Sequence, residues 1–216
     1  MIITYKDDKL PENEIKIVNH VKDYIIPLYE DLDLAHGSLH IKETINNSII
    51  YAGLVKEEIN TTLCFVAAAY HDIGLLHERK FHEYTSAQIF LNDIVAQTHL
   101  TEYEMKIIAD AIADHRSHNF GKRRSIYGQI LADADHTTDP ETSVRRMWFY
   151  RSEWKMNDEQ KIQDVIEYAQ KLIGWVDAPL SRWELNLPEQ IVIRDKLREV
   201  LLDPVKIRDI INHIET

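Results

Sequence analysis

LCFVAAAYHDIGL, residues Leu63 to Leu75, is the stretch on which the fold turns. From Leu63 to Tyr70 it is apolar all round, the pattern of a helix buried on every side rather than on one face. Gly74 follows shortly, a plausible stop for that helix. The helix therefore ends on a charged pair, His71-Asp72, in the interior of the protein. Burying an unpaired charge costs several kcal/mol, so the pair needs partners or a metal ion. Neighbouring side chains on a helix diverge by about 100°, yet in a last turn both can reach one ion beyond the helix end. A hydrogen-bonded structural His-Asp pair is the other reading of the dipeptide.

Outward from this helix, helical spacing dominates. Ile15, Val18, Val21 and Ile25 form one stripe, which Pro27 breaks or kinks. After Gly37-Ser38, the positions Ile41, Ile45, Ile49 and Ala52 mark a face of a second helix. Thr101-x-x-Glu104 is a capping-box signature ahead of the stripe Met105, Ile108, Ile112. Ser125 opens another helix through Ile126, Ile130 and Leu131. Three more helices are expected near Asp158–Ile173, Pro188–Leu202 and Pro204–Ile214, the last two with proline at the first helical position. Strand-like alternation is nearly absent. These patterns predict an all-α bundle of eight or more helices forming a single domain over residues 1–216, with a loop-rich segment near residues 136–157.

Composition narrows the function. One cysteine, Cys64, sits in the apolar run, which excludes an intrachain disulfide and fits a reducing compartment. The amino-terminal MIITYKDDKLPENE carries charges where a signal peptide needs an apolar core, and no apolar stretch approaches the roughly 20 residues of a membrane-spanning helix. The expected location is cytoplasmic, with no membrane partner. A net charge of −11 argues against general nucleic-acid binding. Between His115 and Ala132, however, Arg116, Lys122, Arg123 and Arg124 stand with no acidic residue among them. That local positive region suits a small anionic ligand, with Arg116 as a candidate contact, or is simply a solvated loop.

More histidines and aspartates fall at helix ends. His40 lies in the first turn of its helix. His115 continues the 105, 108, 112 stripe, so the spacing that buries Ile108 and Ile112 turns it inward too. Asp135 follows Leu131 by four residues and faces inward on the same argument. Imidazole and carboxylate together suit a divalent ion such as Fe, Mn, Zn, Ni or Mg. Farther on, Ser143 to Lys155 (SVRRMWFYRSEWK) mixes Arg145, Arg146, Arg151 and Lys155 with Trp148, Phe149, Tyr150 and Trp154. It reads first as a helix packing its aromatics, and alternatively as a cap in which an arginine such as Arg145 grips phosphate.

The order His40, His71-Asp72, Asp135, carried by LHIKETI, AAAYHDIGL and LADADHTTD, resembles the HD-domain superfamily of metal-dependent phosphohydrolases. The resemblance covers roughly residues 30–140, leaving 141–216 as a helical extension. It implies that His40, His71, Asp72 and Asp135 hold a divalent metal ion on an all-α core, with Asp133 competing for the last place. The phrases FHEYTSA and IADHRSH are similar to those of two-metal members and imply His82 and His115 as ligands of a second ion. His77 and His118 are substitutes, and Asp72 would bridge the ions. The activity implied is hydrolysis of a nucleotide or other small phosphate ester by metal-activated water, with Asp72 central to catalysis.

The sequence departs from relatives in ways that leave the substrate open. Leu75 stands where many carry a phosphate-contacting lysine, the nearest acid after the pair is Glu78, and a glycine-tyrosine-proline phrase is absent. Two other functions fit the same residues: an HD-fold di-iron oxygenase, and a non-catalytic nucleotide-binding regulatory module.

Overall fold

The computed structural model describes residues 10–151, 154–174 and 178–214. Residues 1–9 of the charged amino-terminal stretch MIITYKDDKLPENE, and positions 152–153 of the aromatic-basic segment, lie outside them. The described residues form eleven α-helices and no strand: α1 Glu12–His20, α2 Ser38–Leu54, α3 Thr61–Tyr70, α4 His82–Leu91, α5 Ile94–His99, α6 Glu102–Asp114, α7 Ile126–Ala134, α8 Pro140–Tyr150, α9 Asp158–Ile173, α10 Pro188–Leu201 and α11 Pro204–Asn212. None is long and apolar enough to cross a membrane.

Local chemistry sets the helix starts. Asn60 caps α3 by accepting the Thr62 amide at 2.8 Å. Thr101 and Glu104 close the capping box of α6, and Ser125 accepts the Gly128 amide at 3.3 Å to start α7. Past α1 the chain widens into a π-type turn, Val21–Ile25, and then tightens into a 3-10 turn, Ile26–Asp31, with Pro27 in the first turn of the latter. Pro27 thus ends the regular helix as its missing N–H requires.

The chain divides into two compact units, Met1–Leu32 with His36–Asp135, and Asp33–Ala35 with His136–Thr216. In the first unit α3 is the central rod. Every residue from Thr62 to Tyr70 is buried, and the helix packs against α1, α2, α6 and α7. Such a helix can carry no charge along its length, so its polar residues come at its end. Burial also pushes the Cys64 thiol up to about 12, leaving it an inert core group. On α2 the expected apolar face is only part of the buried surface. Ile41, Ile45 and Ala52 are buried, but so are His40, Thr44, Asn47 and Ser48.

The second unit has its own core, built on Val144, Met147, Val165, Ala169, Ile173, Leu197, Leu201 and Ile207. Here the structure corrects the loop-rich expectation for residues 136–157, because α8 runs from Pro140 to Tyr150. Asp139 accepts the Thr142 amide at 2.7 Å and Pro140 occupies the first helical position, both ordinary start signals. Trp148 and Phe149 pack against this core, in line with the structural reading of that segment. Arg151 is buried, paired with Asp164 and lying 4.7 Å from the Tyr168 ring centre.

Candidate metal centre

Five helix ends deliver the chemistry of the first unit. His40 is in the first turn of α2, His71 closes α3 and Asp72 follows it, His82 opens α4, His115 closes α6 and Asp135 closes α7. The donor atoms fall into two sets sharing one residue. In the first, His40 Nε2 lies 3.1 Å from Asp135 Oδ1 and 3.5 Å from Asp72 Oδ2, and His71 Nε2 lies 3.5 Å and 3.3 Å from the same two oxygens. In the second, His82 Nε2 lies 3.1 Å and His115 Nε2 3.6 Å from the other Asp72 oxygen, Oδ1. Asp72 thus faces one set with each oxygen.

The far side of each imidazole decides what these contacts mean. His71 Nδ1 donates to the Ala68 carbonyl at 2.8 Å, His82 Nδ1 to Arg79 at 2.9 Å and His115 Nδ1 to Ile112 at 2.7 Å. A carbonyl cannot donate, so each Nδ1 carries a proton and aims the ring's Nε2 at the centre, where that atom offers a lone pair whenever the ring is neutral. His40 Nδ1 is next to Thr44 Oγ1 at 3.5 Å, whose own hydroxyl donates to the His40 carbonyl at 3.0 Å. Partners of this kind fix the ring and tautomer of metal-ligating histidines.

The electrostatics agree. Burial, then the His71 charge and hydrogen bonds from His40, His71 and His82, act on Asp72, and the attractive contributions hold its carboxyl well below the usual range. Asp135 is likewise held down: burial opposes, but hydrogen bonds from His40 and His71 prevail. Burial works against a charged His71, yet the Asp72 charge and Asp135 bring it up to about 10. For His115, burial and the His71 charge push it down to about 4. At neutral pH the His115 Nε2 is therefore a bare lone pair, 3.6 Å from an ionised carboxylate oxygen. A proton on His71 cannot satisfy that contact. A cation between them does, so the residues fit a divalent ion in each set.

Residues 34–138 match the HD domain family. This segment belongs to the HD-domain superfamily of metal-dependent phosphohydrolases. No curated protein and no solved structure matches the chain.

The HD domain gathers His40, His71, Asp72, His82, His115 and Asp135. Asp133 is buried two residues before Asp135 but contributes to neither set, while His77 and His118 are exposed. Gly74 does more than follow a helix. A Cβ there would collide with the His82 carbonyl and lie 2.8 Å from the Ser86 amide, and the Gly74 amide donates to Ser86 Oγ at 2.8 Å. Glycine lets the first turn of α4 press onto the chain just after Asp72, which brings His82 within reach.

The basic residues turn out mostly to be fasteners. Arg116 Nη1 donates to the Lys80 carbonyl at 3.0 Å and to the buried Glu83 at 3.2 Å, joining the loop before α4 to the end of α6. Arg124 grips Asp110 at 2.6 Å and Asp114 at 2.8 Å, and Arg123 donates to the Asp114 and Arg116 carbonyls. Those cations neutralise the carbonyl end of α6. Arg145 lies in the second unit, paired with Glu141 at 2.8 Å.

Sequence reasoning did not find Glu83 or Tyr29. Tyr29 is fully buried, its ring 6.4 Å from that of His71, and its hydroxyl accepts the Asp72 amide at 3.2 Å. A signal existed: Tyr29 continues the Ile25 stripe by four residues and puts a lone hydroxyl on an apolar face. For Glu83, its place beside His82 was the only mark.

Proposed function

We propose that this HD domain hydrolyses a nucleotide or other small phosphate ester at a centre of two divalent ions. The observation that supports this most is Asp72, which offers one oxygen to a four-donor set and the other to a three-donor set. When bound, such a pair supplies Lewis acidity toward phosphoryl oxygens and acidifies water to a nucleophile near neutral pH. His40, His71, Asp72 and Asp135 would hold the first ion; Asp72, His82 and His115 the second. The carbonyl partners of His71, His82 and His115 keep their Nε2 atoms aimed inward without rearrangement. Three donors are fewer than a divalent ion accepts, so the second set leaves room for water and substrate oxygens. Mixed imidazole and carboxylate donors do not select among Fe, Mn, Zn, Ni and Mg.

Arg116, next to His115, and Lys80, two residues before His82, are cations that flank the second set in sequence and suit an anionic substrate. Arg116 keeps further N–H groups beyond the Nη1 contacts described above. Leu75 offers no charge, so phosphate binding would fall to the ions and these flanking residues.

A substrate panel tests the reading. Purified protein loaded with Mn²⁺ or Fe²⁺ is assayed on phosphate mono- and diesters for phosphate or alcohol release, with oxygen uptake followed in parallel. Ester hydrolysis that disappears in His71→Ala is the expected result. Oxygen consumption by the Fe²⁺ form with no ester hydrolysed would overturn it in favour of oxygenase chemistry.

A further inference from the structure

We infer that Tyr29 is a positioning residue for the bridging carboxylate, acting through the Asp72 main chain. This rests on the two-ion reading of the centre.

Asp72 has a demanding task for a residue at a helix end. The α3 backbone stops being helical at it, with φ −109° and ψ 2°. In a continuing helix its amide would donate to the carbonyl of Ala68, four residues back. That carbonyl is engaged by His71 Nδ1 at 2.8 Å, the bond that fixes the His71 tautomer. The Asp72 amide donates to the Tyr29 hydroxyl instead, at 3.2 Å, from 43 residues away. The helix end is thus rewired: a carbonyl of its last turn orients the histidine, and an outside hydroxyl holds the aspartate's backbone.

Tyr29 touches both members of the pair. Its ring stacks on His71 at an interplanar angle of 28°, while its hydroxyl holds the Asp72 amide. The 3-10 turn that carries it, Ile26–Asp31, packs against α2 and against the 3-10 turn Ile73–Leu76 that directly follows Asp72. Fixing the amide fixes Cα, and with it the swing of a carboxylate whose two oxygens must face different donor sets. Without that anchor Asp72 can rotate toward His40 and His71, where it still binds one ion, and lose its reach to His82 and His115. The second set, with three donors, depends on the bridge more than the first, with four.

A second buried phenol provides the comparison. Tyr70, one residue before His71, donates to Asp93 Oδ2 at 2.8 Å, a bond that fastens helices without touching either donor set.

The test compares Tyr29→Phe with Tyr70→Phe, each titrated with Mn²⁺ and examined by electron paramagnetic resonance for an exchange-coupled ion pair. Circular dichroism and thermal unfolding serve as fold controls. Wild type is expected to bind two Mn²⁺ with a coupled spectrum. Tyr29→Phe should keep its helical spectrum and its first ion but weaken the second by about 10- to 100-fold, the usual cost of losing an outer-shell partner, and show uncoupled Mn²⁺. Tyr70→Phe should lower the unfolding temperature with Mn²⁺ affinity and coupling unchanged. Wild-type affinity and coupling in Tyr29→Phe overturn the assignment of Tyr29 and leave the two-ion centre standing. Equal losses in the two variants also overturn it, because the effect is then general softening. A wild type that takes up a single Mn²⁺ overturns both readings. Should Tyr29→Phe lose its helical spectrum, amide exchange at Asp72 in wild type decides: strong protection, deepened by Mn²⁺, is expected, and rapid exchange overturns the proposal.

Discussion

The two donor sets share Asp72 and differ in nearly everything else. The first draws four donors from α2, α3 and α7, helices that pack directly on one another through the middle of the core. The second draws its histidines from the start of α4 and the end of α6, and shares Asp72 with the first through the other carboxylate oxygen, Oδ1. Its geometry leans on devices outside the ligands: a glycine at 74 that admits α4, and an Arg116–Glu83 pair that ties α4 to the loop after α6. A centre built this way should lose its ions in sequence, the second by many routes and the first only by damage to its own ligands.

The largest effect falls on the shared residue and its neighbour. His71→Ala and Asp72→Ala should bring both bound metal and hydrolysis to background, while the helical circular-dichroism spectrum remains. Metal analysis with a spectrum on the same sample checks this, and full activity in either variant sinks the metal-hydrolase reading. Next comes the last donor of the first set. Asp135→Asn should strip the ion from that set, whereas Asp133→Asn, at a buried position outside both sets, should lower activity modestly; the opposite ranking would place the motif two residues out of register.

The second set separates from the first in milder variants. His82→Ala or His115→Ala should take stoichiometry from two ions toward one with the first ion retained. Gly74→Ala should destabilise the fold by about 1–3 kcal/mol, the usual cost of overpacking, and weaken the second ion in preference to the first. Loss of the first ion alone in any of these breaks the proposed hierarchy.

The smallest effect is in protons. In chelator-stripped protein His71 holds its proton up to about 10 because Asp72 and Asp135 outweigh the cost of burial. A raised pKa gives stability that is fully present below the ordinary histidine value and is lost as pH rises through about 10. An ion needs the same Nε2 lone pair, so binding must expel that proton. Between about pH 7 and 10, Mn²⁺ uptake should release roughly one proton per chain from His71, and affinity should climb tenfold per pH unit. His115, already neutral above about 4, adds none. Calorimetry in buffers of different ionisation enthalpy measures the release; a pH-independent affinity contradicts it.

How legible each part was follows from its physics. An all-apolar helix ending in His71-Asp72 has few ways to exist, and stripe spacing turned His115 and Asp135 inward, so local sequence sufficed for them. The starts of α6, α7 and α9 were visible because capping is local. What stayed hidden was long-range. Nothing near Gly74 announces that α4 will lie on it, nothing near Arg116 names Glu83 as its partner 33 residues away, and Tyr29 meets Asp72 across 43. Of α8, the aromatic-basic stretch reads as a helix, but its start at Asp139 and Pro140 was missed within a segment expected to be loop-rich, because arginines and aromatics blur its apolar stripe. Choosing His82 over His77, and giving His115 a second ion to hold, needed the family resemblance; in the structure, distance and burial separate His82 and His115 from His77 and His118.

Metal stoichiometry tests the central claim most directly. Purified protein, loaded with excess Mn²⁺ or Fe²⁺ under anaerobic conditions and freed of loose metal, is analysed for ions per chain alongside His82→Ala. A bridging Asp72 predicts close to two ions in the wild type and close to one in the variant. Saturation of the wild type at a single ion, unchanged by His82→Ala, would contradict it.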